Sequence, residues 1–178
     1  MKVPIRLYGD PALRKHCEPV KEITPEIQQL IENLLETTED GWGMAAPQLG
    51  YGWRVFVCCF PIFGADGKRT GDTDLRVWIN PKLSDPSPEM WTHGESCFSL
   101  PGLYVDVARP QAITIEAMDE KGNPVKERLE GWPARIVMHE NDHLNGVLTI
   151  DRISAKERRL LDAQLRALKE KSKKLGGK

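Results

Sequence analysis

The segment His139-Glu140-Asn141-Asp142-His143 constrains this 178-residue chain more than any other. Residues i and i+4 share one face of a helix, so the spacing lets two imidazoles reach one metal ion. A glutamate directly after the first histidine can reach a water at such an ion without ligating it, and there it acts as general base. Two of the four histidines of the chain lie in this segment. Ile136, Val137 and Leu144 place the surrounding helix in the core. That frame argues against a solvated polar helix, because buried histidines and a buried glutamate need partners.

A catalytic site of this kind takes three protein ligands and keeps one position open. A further histidine six positions after His143 would complete one arrangement, but position 149 is threonine. Another arrangement draws on an acidic residue farther downstream, where Asp162 lies. Asp162 falls in a charged tail, however, and reads better as an i,i+4 partner of Arg158 or Arg166. Cys97 is the stronger candidate. A lone cysteine is usually a small core residue, yet Gly94-Glu95-Ser96-Cys97-Phe98-Ser99-Leu100-Pro101-Gly102 is polar and flanked by glycine, a segment no core strand would choose.

Local patterns supply the frame. Thr24-Pro25 predicts a helix start, and Ile27, Leu30, Ile31, Leu34 and Leu35 follow helical spacing. Gly41-Trp42-Gly43 should end that helix and open a loop. Val55 to Phe60 reads as a buried strand, residues 61–75 as an exposed insertion, and Arg76 to Ile79 as a strand stopped by Asn80-Pro81. Ile113 to Met118 alternates, and Asp119 to Asn123 turns it. Pro133 predicts the start of the metal-site helix and Gly146 lies just past its end. A third helix should run from about Ala155 to Lys174, with Leu160, Leu161, Leu165 and Leu168 as its apolar stripe. The expected fold class is α+β, with mostly antiparallel strands packed around a central metal-binding helix and a C-terminal helix, in one domain spanning residues 1–178.

Composition excludes little but sets the compartment. With 40% hydrophobic and 29% charged residues, the chain reads as a soluble globular protein. No apolar run approaches the roughly 18 residues that span a bilayer. Met1-Lys2-Val3-Pro4-Ile5-Arg6 has the character of neither a secretory signal nor a transit peptide. Cys17, Cys58, Cys59 and Cys97 suit reduced thiols, so a cytoplasmic location is expected. Charge is uneven. Residues 152–178 hold 10 Lys/Arg against 3 Asp/Glu, and residues 1–151 hold 15 against 23. A basic tail on an acidic body is either a solvated helix or a contact for an anionic partner.

Three motifs, in order, resemble those of peptide deformylases. Gly41, Gly43, Ala45, Ala46 and Gln48 match G-x-G-x-A-A-x-Q. Glu95-Ser96-Cys97-Phe98-Ser99 is similar to E-G-C-x-S, and His139 to Gly146 matches H-E-x-D-H-L-x-G. Asp10-Pro11-Ala12-Leu13-Arg14, Ile79-Asn80-Pro81 and Ile150-Asp151-Arg152 are alike too, so the resemblance covers about residues 5–153. The departures are Ser96 for the usual glycine, Met138 for glutamine, Trp42 for a smaller residue, and Tyr104 where arginine is common. They bear on substrate preference more than on activity.

The resemblance implies hydrolysis of the N-formyl group of N-formylmethionyl peptides. It implies one divalent metal ion on Cys97, His139 and His143, with Fe2+ native and Zn2+, Ni2+ or Co2+ as replacements. Glu140 would be the base. The Gln48 amide and the Phe98 backbone N–H would face the oxyanion, and Gly43 would contact the substrate backbone. Glu95 would orient His143 or pair with Arg109. Trp42, Met44, Trp132 and Ile136 would line a pocket for the methionine side chain, or belong to the core. The basic C-terminal helix would meet the ribosome near its exit tunnel. No membrane partner and no sequence-specific nucleic-acid contact is expected. Two other readings compete: a small metallopeptidase using Asp162, and a non-catalytic domain with a structural metal. Glu140 argues against the second, since a closed structural site has no use for a base.

Overall fold

A computed structural model describes residues 3–38 and 42–176. Gly41 of the first motif lies outside the described residues. Helix α1, Pro25–Thr37, begins where Thr24 accepts a hydrogen bond from the Ile27 N–H at 3.4 Å, with Pro25 in its first turn. Its Ile27, Leu30, Ile31 and Leu34 are buried, as their spacing predicts. Seven strands follow: β1 Gly43–Ala45, β2 Val55–Phe63, β3 Arg69–Ser84, β4 Met90–Glu95, β5 Val105–Pro110, β6 Ala112–Met118 and β7 Pro124–Glu130. Five form one sheet in the order β1-β2-β3-β6-β7, and β4 pairs with β5. Every one of these pairings is antiparallel.

Strand β2 is buried on both faces from Val55 to Phe60, and its period-2 alternation shows how. Val55 and Val57 pack with Ile27, Leu30 and Leu34 of α1. Phe56, Cys58 and Phe60 pack on the opposite side with Val137 and Leu144 of helix α2, Gly131–Leu144. This second helix is the one that carries the two histidines. It starts two residues before Pro133, and Gly146 follows its Asn145 cap with φ +71°. A side chain at Gly146 would approach the Arg14 carbonyl to 2.7 Å, so both its conformation and its neighbour call for glycine.

Three expectations are corrected. The stretch 61–75 is exposed as expected, but it is strand and turn, not an insertion: it forms the far end of the β2–β3 hairpin, closed by a bond from the Gly64 N–H to the Lys68 carbonyl at 2.8 Å. Asn80-Pro81 does not stop β3. The strand continues to Ser84 through a shift of register between Ile79 and Lys82. Proline cannot donate to the ladder there, and Asn80 takes φ +53° while its side chain bonds both backbone groups of Val20, at 2.8 and 2.7 Å. The C-terminal helix is two helices, α3 Ala155–Leu160 and α4 Asp162–Gly176. The Leu161 N–H turns back to Arg158 at 3.0 Å, a tighter turn of 3₁₀ type. Beyond it Leu165 and Leu168 bury against Tyr8, Leu13, Leu100 and Leu148, whereas Leu160 is 78% exposed. No helix among the described residues is long and apolar enough to cross a membrane.

Candidate metal centre and active site

Helix α2 brings His139 and His143 to one side, with ring centroids 5.1 Å apart. The turn after β4 delivers Cys97 to the same place. Sγ of Cys97 lies 3.3 Å from Nε2 of His143, and the candidate ligand atoms of Cys97, His139 and His143 fall within 4.8 Å of one another. Asp162 is not among them; it opens α4 on the surface.

A buried ion-pair network sets the histidine orientation. Glu95 is 4% exposed, and its Oε1 accepts from Arg109 Nε and from Arg135 Nη1, each at 2.6 Å. Its Oε2 accepts from Arg109 Nη2 at 2.9 Å and lies 2.9 Å from Nδ1 of His139. That contact assigns the proton to Nδ1 and leaves Nε2 of His139 free as a ligand atom, a carboxylate–histidine arrangement common at metal sites. The carboxylate therefore touches His139, not His143, and its pairing with Arg109 is bidentate. Burial alone would raise the Glu95 pKa, but hydrogen bonds from Arg109 and His139 hold it well below the usual carboxylate range. The network continues outward. Arg109 Nη1 donates to Asp142 at 2.9 Å, and Asp142 also accepts from Arg152. Sequence reasoning assigned no role to Arg135, Asp142 or Arg152. An arginine inside the apolar run Ala134, Ile136, Val137 was the available signal.

Glu140 is 3% exposed, and its Oε2 has no hydrogen-bond partner among the described residues. Burial raises its pKa to about 7, against the lowering influence of His139. Nδ1 of His143 is likewise buried without a partner, and burial lowers the pKa of that ring. Gly43 of β1 lies directly on Glu140. A Cβ there would come within 2.6 Å of its Cδ and Oε1, so only glycine leaves the carboxylate in place. Gln48 sits on the 3₁₀ turn Ala46–Leu49 and is 1% exposed. Its Oε1 is held by the Ala45 N–H at 2.8 Å, which turns its NH2 toward Cys97 Sγ at 3.6 Å and Ser99 Oγ at 3.3 Å.

One cleft gathers these groups. Trp42, Gly43, Gln48, Cys97, Phe98, Trp132, Ile136, His139 and Glu140 line it. Trp42 meets Phe98 at 6.1 Å and Trp132 at 6.5 Å, both edge to face. Met44 does not reach the cleft. On a three-residue strand it must point opposite to Gly43 and Ala45, and it is fully buried with the α1 cluster. Met138 is likewise in the core, while Tyr104 is 66% exposed.

A buried cysteine, two helix-borne histidines and an unpartnered carboxylate form a metallohydrolase constellation, and comparison places it. The family model described as polypeptide deformylase matches residues 2–159. The chain belongs to this family. A peptide deformylase of Thermotoga neapolitana is 39% identical over 163 residues, covering 90% of this chain and 93% of the relative. The crystal structure of peptide deformylase from Thermotoga maritima matches with a TM-score of 0.76 at 38% identity, over 86% of this chain and 99% of that one. The deformylase from Thermus thermophilus gives 0.83 at 35%, over 96% and 99%. The mixed helix and antiparallel strand fold with its C-terminal helix is thus a peptide deformylase fold, and a Cys/His/His cluster for one metal ion suits this family of hydrolases.

Proposed function

We propose that this peptide deformylase, which removes the N-formyl group from nascent peptides, holds one divalent metal ion on Cys97, His139 and His143 and moves protons with Glu140. The observation that carries the assignment is the buried Glu140, whose Oε2 lacks a partner among the described residues and which lines the cleft together with the ligand candidates Cys97 and His139. The donor set fits a metal. The Glu95 contact at Nδ1 frees Nε2 of His139, and the three donor atoms converge. One thiolate with two imidazoles suits Fe2+, Zn2+, Co2+ or Ni2+, and Fe2+ is our proposal for the native ion. When bound, such an ion acidifies water and polarises a carbonyl.

The chain's own residues do the rest. Glu140 takes a proton from the attacking water at a carboxylate oxygen and passes it to the departing amine. Burial holds this carboxyl above the usual carboxylate range, which favours its taking up a proton. The Gln48 NH2 and the backbone N–H of Phe98 are the donors for the developing oxyanion. Gly43 lies on β1, at the edge of the sheet, where a substrate backbone can pair as an added strand. Trp42, Trp132 and Ile136 receive the first side chain. Gln48→Leu should lower kcat by roughly 10²–10³ with a smaller change in KM. A change in KM alone, measured on a formyl-Met peptide, would make Gln48 a uniform binding group instead.

The substrate emerges from ribosomes, whose surface is dense in phosphate, and we assign that contact to the basic tail in a cytoplasmic enzyme. Leu165, Leu168 and Ser172 hold α4 on the body, while Lys156, Arg159, Lys171, Lys173 and Lys174 are exposed. Because Leu168 and Ser172 are buried, a truncation from Lys173 onward spares the docking side. It should weaken ribosome co-sedimentation, most clearly at low salt, with turnover of a short formyl peptide unchanged. Equal co-sedimentation across a salt series would contradict this role.

A further inference from the structure

The ion-pair network behind His139 ends at the protein surface, and the residue at that end has a geometric task of its own. After α2 the chain makes a 3₁₀ turn, Thr149–Asp151, and the Asp151 carboxylate pins it. That carboxylate accepts from the Leu148 N–H at 2.8 Å, from Arg158 Nη1 at 2.7 Å and from the Arg14 guanidinium through both terminal nitrogens. Arg152 follows on this fixed turn and reaches back to α2. Its Nε donates to Asp142 Oδ2 at 3.0 Å, and its Nη2 donates to Asp142 Oδ1. The Arg152 side chain is 46% exposed, whereas Asp142 and Arg109 behind it are buried.

The hydrogen bonds around Arg109 show what this contact does. Nε and Nη2 of Arg109 serve the two oxygens of Glu95, and Nη1 serves Asp142 Oδ2 at 2.9 Å. Asp142 Oδ1 accepts from Arg152 alone among the described residues. A buried carboxylate oxygen left without a donor is costly, so loss of Arg152 leaves Asp142 short of one hydrogen bond. The cation still in contact with it is Arg109, whose guanidinium is a rigid plane. Turning Nη2 as well as Nη1 toward Asp142 withdraws Nη2 from Glu95 Oε2. That oxygen is the one 2.9 Å from Nδ1 of His139. One half-exposed arginine therefore decides whether the oxygen that orients His139 is itself held in place.

We propose that Arg152 is a positioning residue for the metal site, acting on His139 through Asp142, Arg109 and Glu95 by keeping the Arg109 fork on Glu95. The inference rests on the ligand assignment given above. Arg152 is not among the residues that line the cleft, so its role is neither substrate contact nor proton transfer. Altering a group that orients a ligand directly costs about 10–100-fold in affinity or activity. Arg152 acts through intermediates, which puts its effect at the lower end of that range.

The test measures the Zn2+ affinity of the full chain by competition with a chelator, well below the unfolding temperature. Arg152→Met should bind Zn2+ about 10-fold more weakly than the unsubstituted protein. Arg152→Lys keeps the charge but not the fork, and its affinity should stay within about 3-fold of that of Arg152→Met. Arg158→Met is the control for a merely structural role. It removes a partly exposed ion pair from the same turn without touching Asp142, and Asp151 keeps Arg14 and the Leu148 N–H. Its Zn2+ affinity should be unchanged, whatever happens to its melting temperature. Unchanged or tighter binding in Arg152→Met, full recovery in Arg152→Lys, or equal weakening in Arg158→Met overturns the proposal and leaves the ligand assignment intact. No Zn2+ bound by the unsubstituted protein would overturn that assignment and this inference together.

Discussion

Cys97→Ala should leave the fold in place and abolish both metal retention and turnover. Cys97 is 8% exposed beside Leu100 and Leu103, and alanine occupies less volume, so far-UV circular dichroism should be unchanged. Among the described residues its Sγ is the one candidate ligand atom not supplied by α2, and it stands 3.3 Å from Nε2 of His143. Disturbing a group that merely supports a ligand costs about 10–100-fold in affinity or activity. Removing a ligand should exceed that, with turnover down by more than ~10²-fold and metal content falling well below one equivalent by elemental analysis. Asp162→Ala, on the surface of α4, should change neither. Full metal and full turnover in Cys97→Ala would place the third ligand elsewhere.

Glu140→Gln should separate binding from chemistry. The amide matches the carboxylate in size but cannot take up the proton. It therefore keeps the contact with Gly43, whose absent Cβ makes room for this side chain. Metal content should stay near one equivalent, because the ligand atoms come from Cys97, His139 and His143. Turnover should fall by ~10²–10⁴-fold, the range of a general acid–base contribution. The unpartnered Oε2 and the pKa raised to about 7 by burial both describe a group held ready for proton transfer and not committed to a salt bridge. Near-normal turnover in a metal-replete Glu140→Gln protein would remove Glu140 from the proton path.

What the sequence made legible was local. Thr24, Pro25 and the leucine spacing of α1 are interactions within a few residues, and they appear as read. The i,i+4 pair His139 and His143 is a statement about one helix face, and Cys97 stood out because its neighbours were wrong for a core strand. The failures were long-range. Whether Asn80-Pro81 ends β3 or bends it depends on Val20, sixty positions away, whose backbone captures the Asn80 side chain. The break at Leu161 follows from where Leu165 and Leu168 can dock, on Tyr8 and Leu148 from two other parts of the chain. Met44 looked like a pocket residue by its place in a motif, but one step along a strand reverses the face. The ion-pair network draws Glu95 from β4, Arg109 from β5, Arg135 and Asp142 from α2 and Arg152 from beyond it, and no spacing rule joins them.

The central claim is that a single metal ion on Cys97, His139 and His143 makes this cleft a deformylase site. Protein purified without oxygen should contain one equivalent of divalent metal per chain and release one formate for each formyl-Met peptide consumed, and chelation should stop that release until metal is restored. Full metal occupancy with no formate released from the peptide would contradict the account.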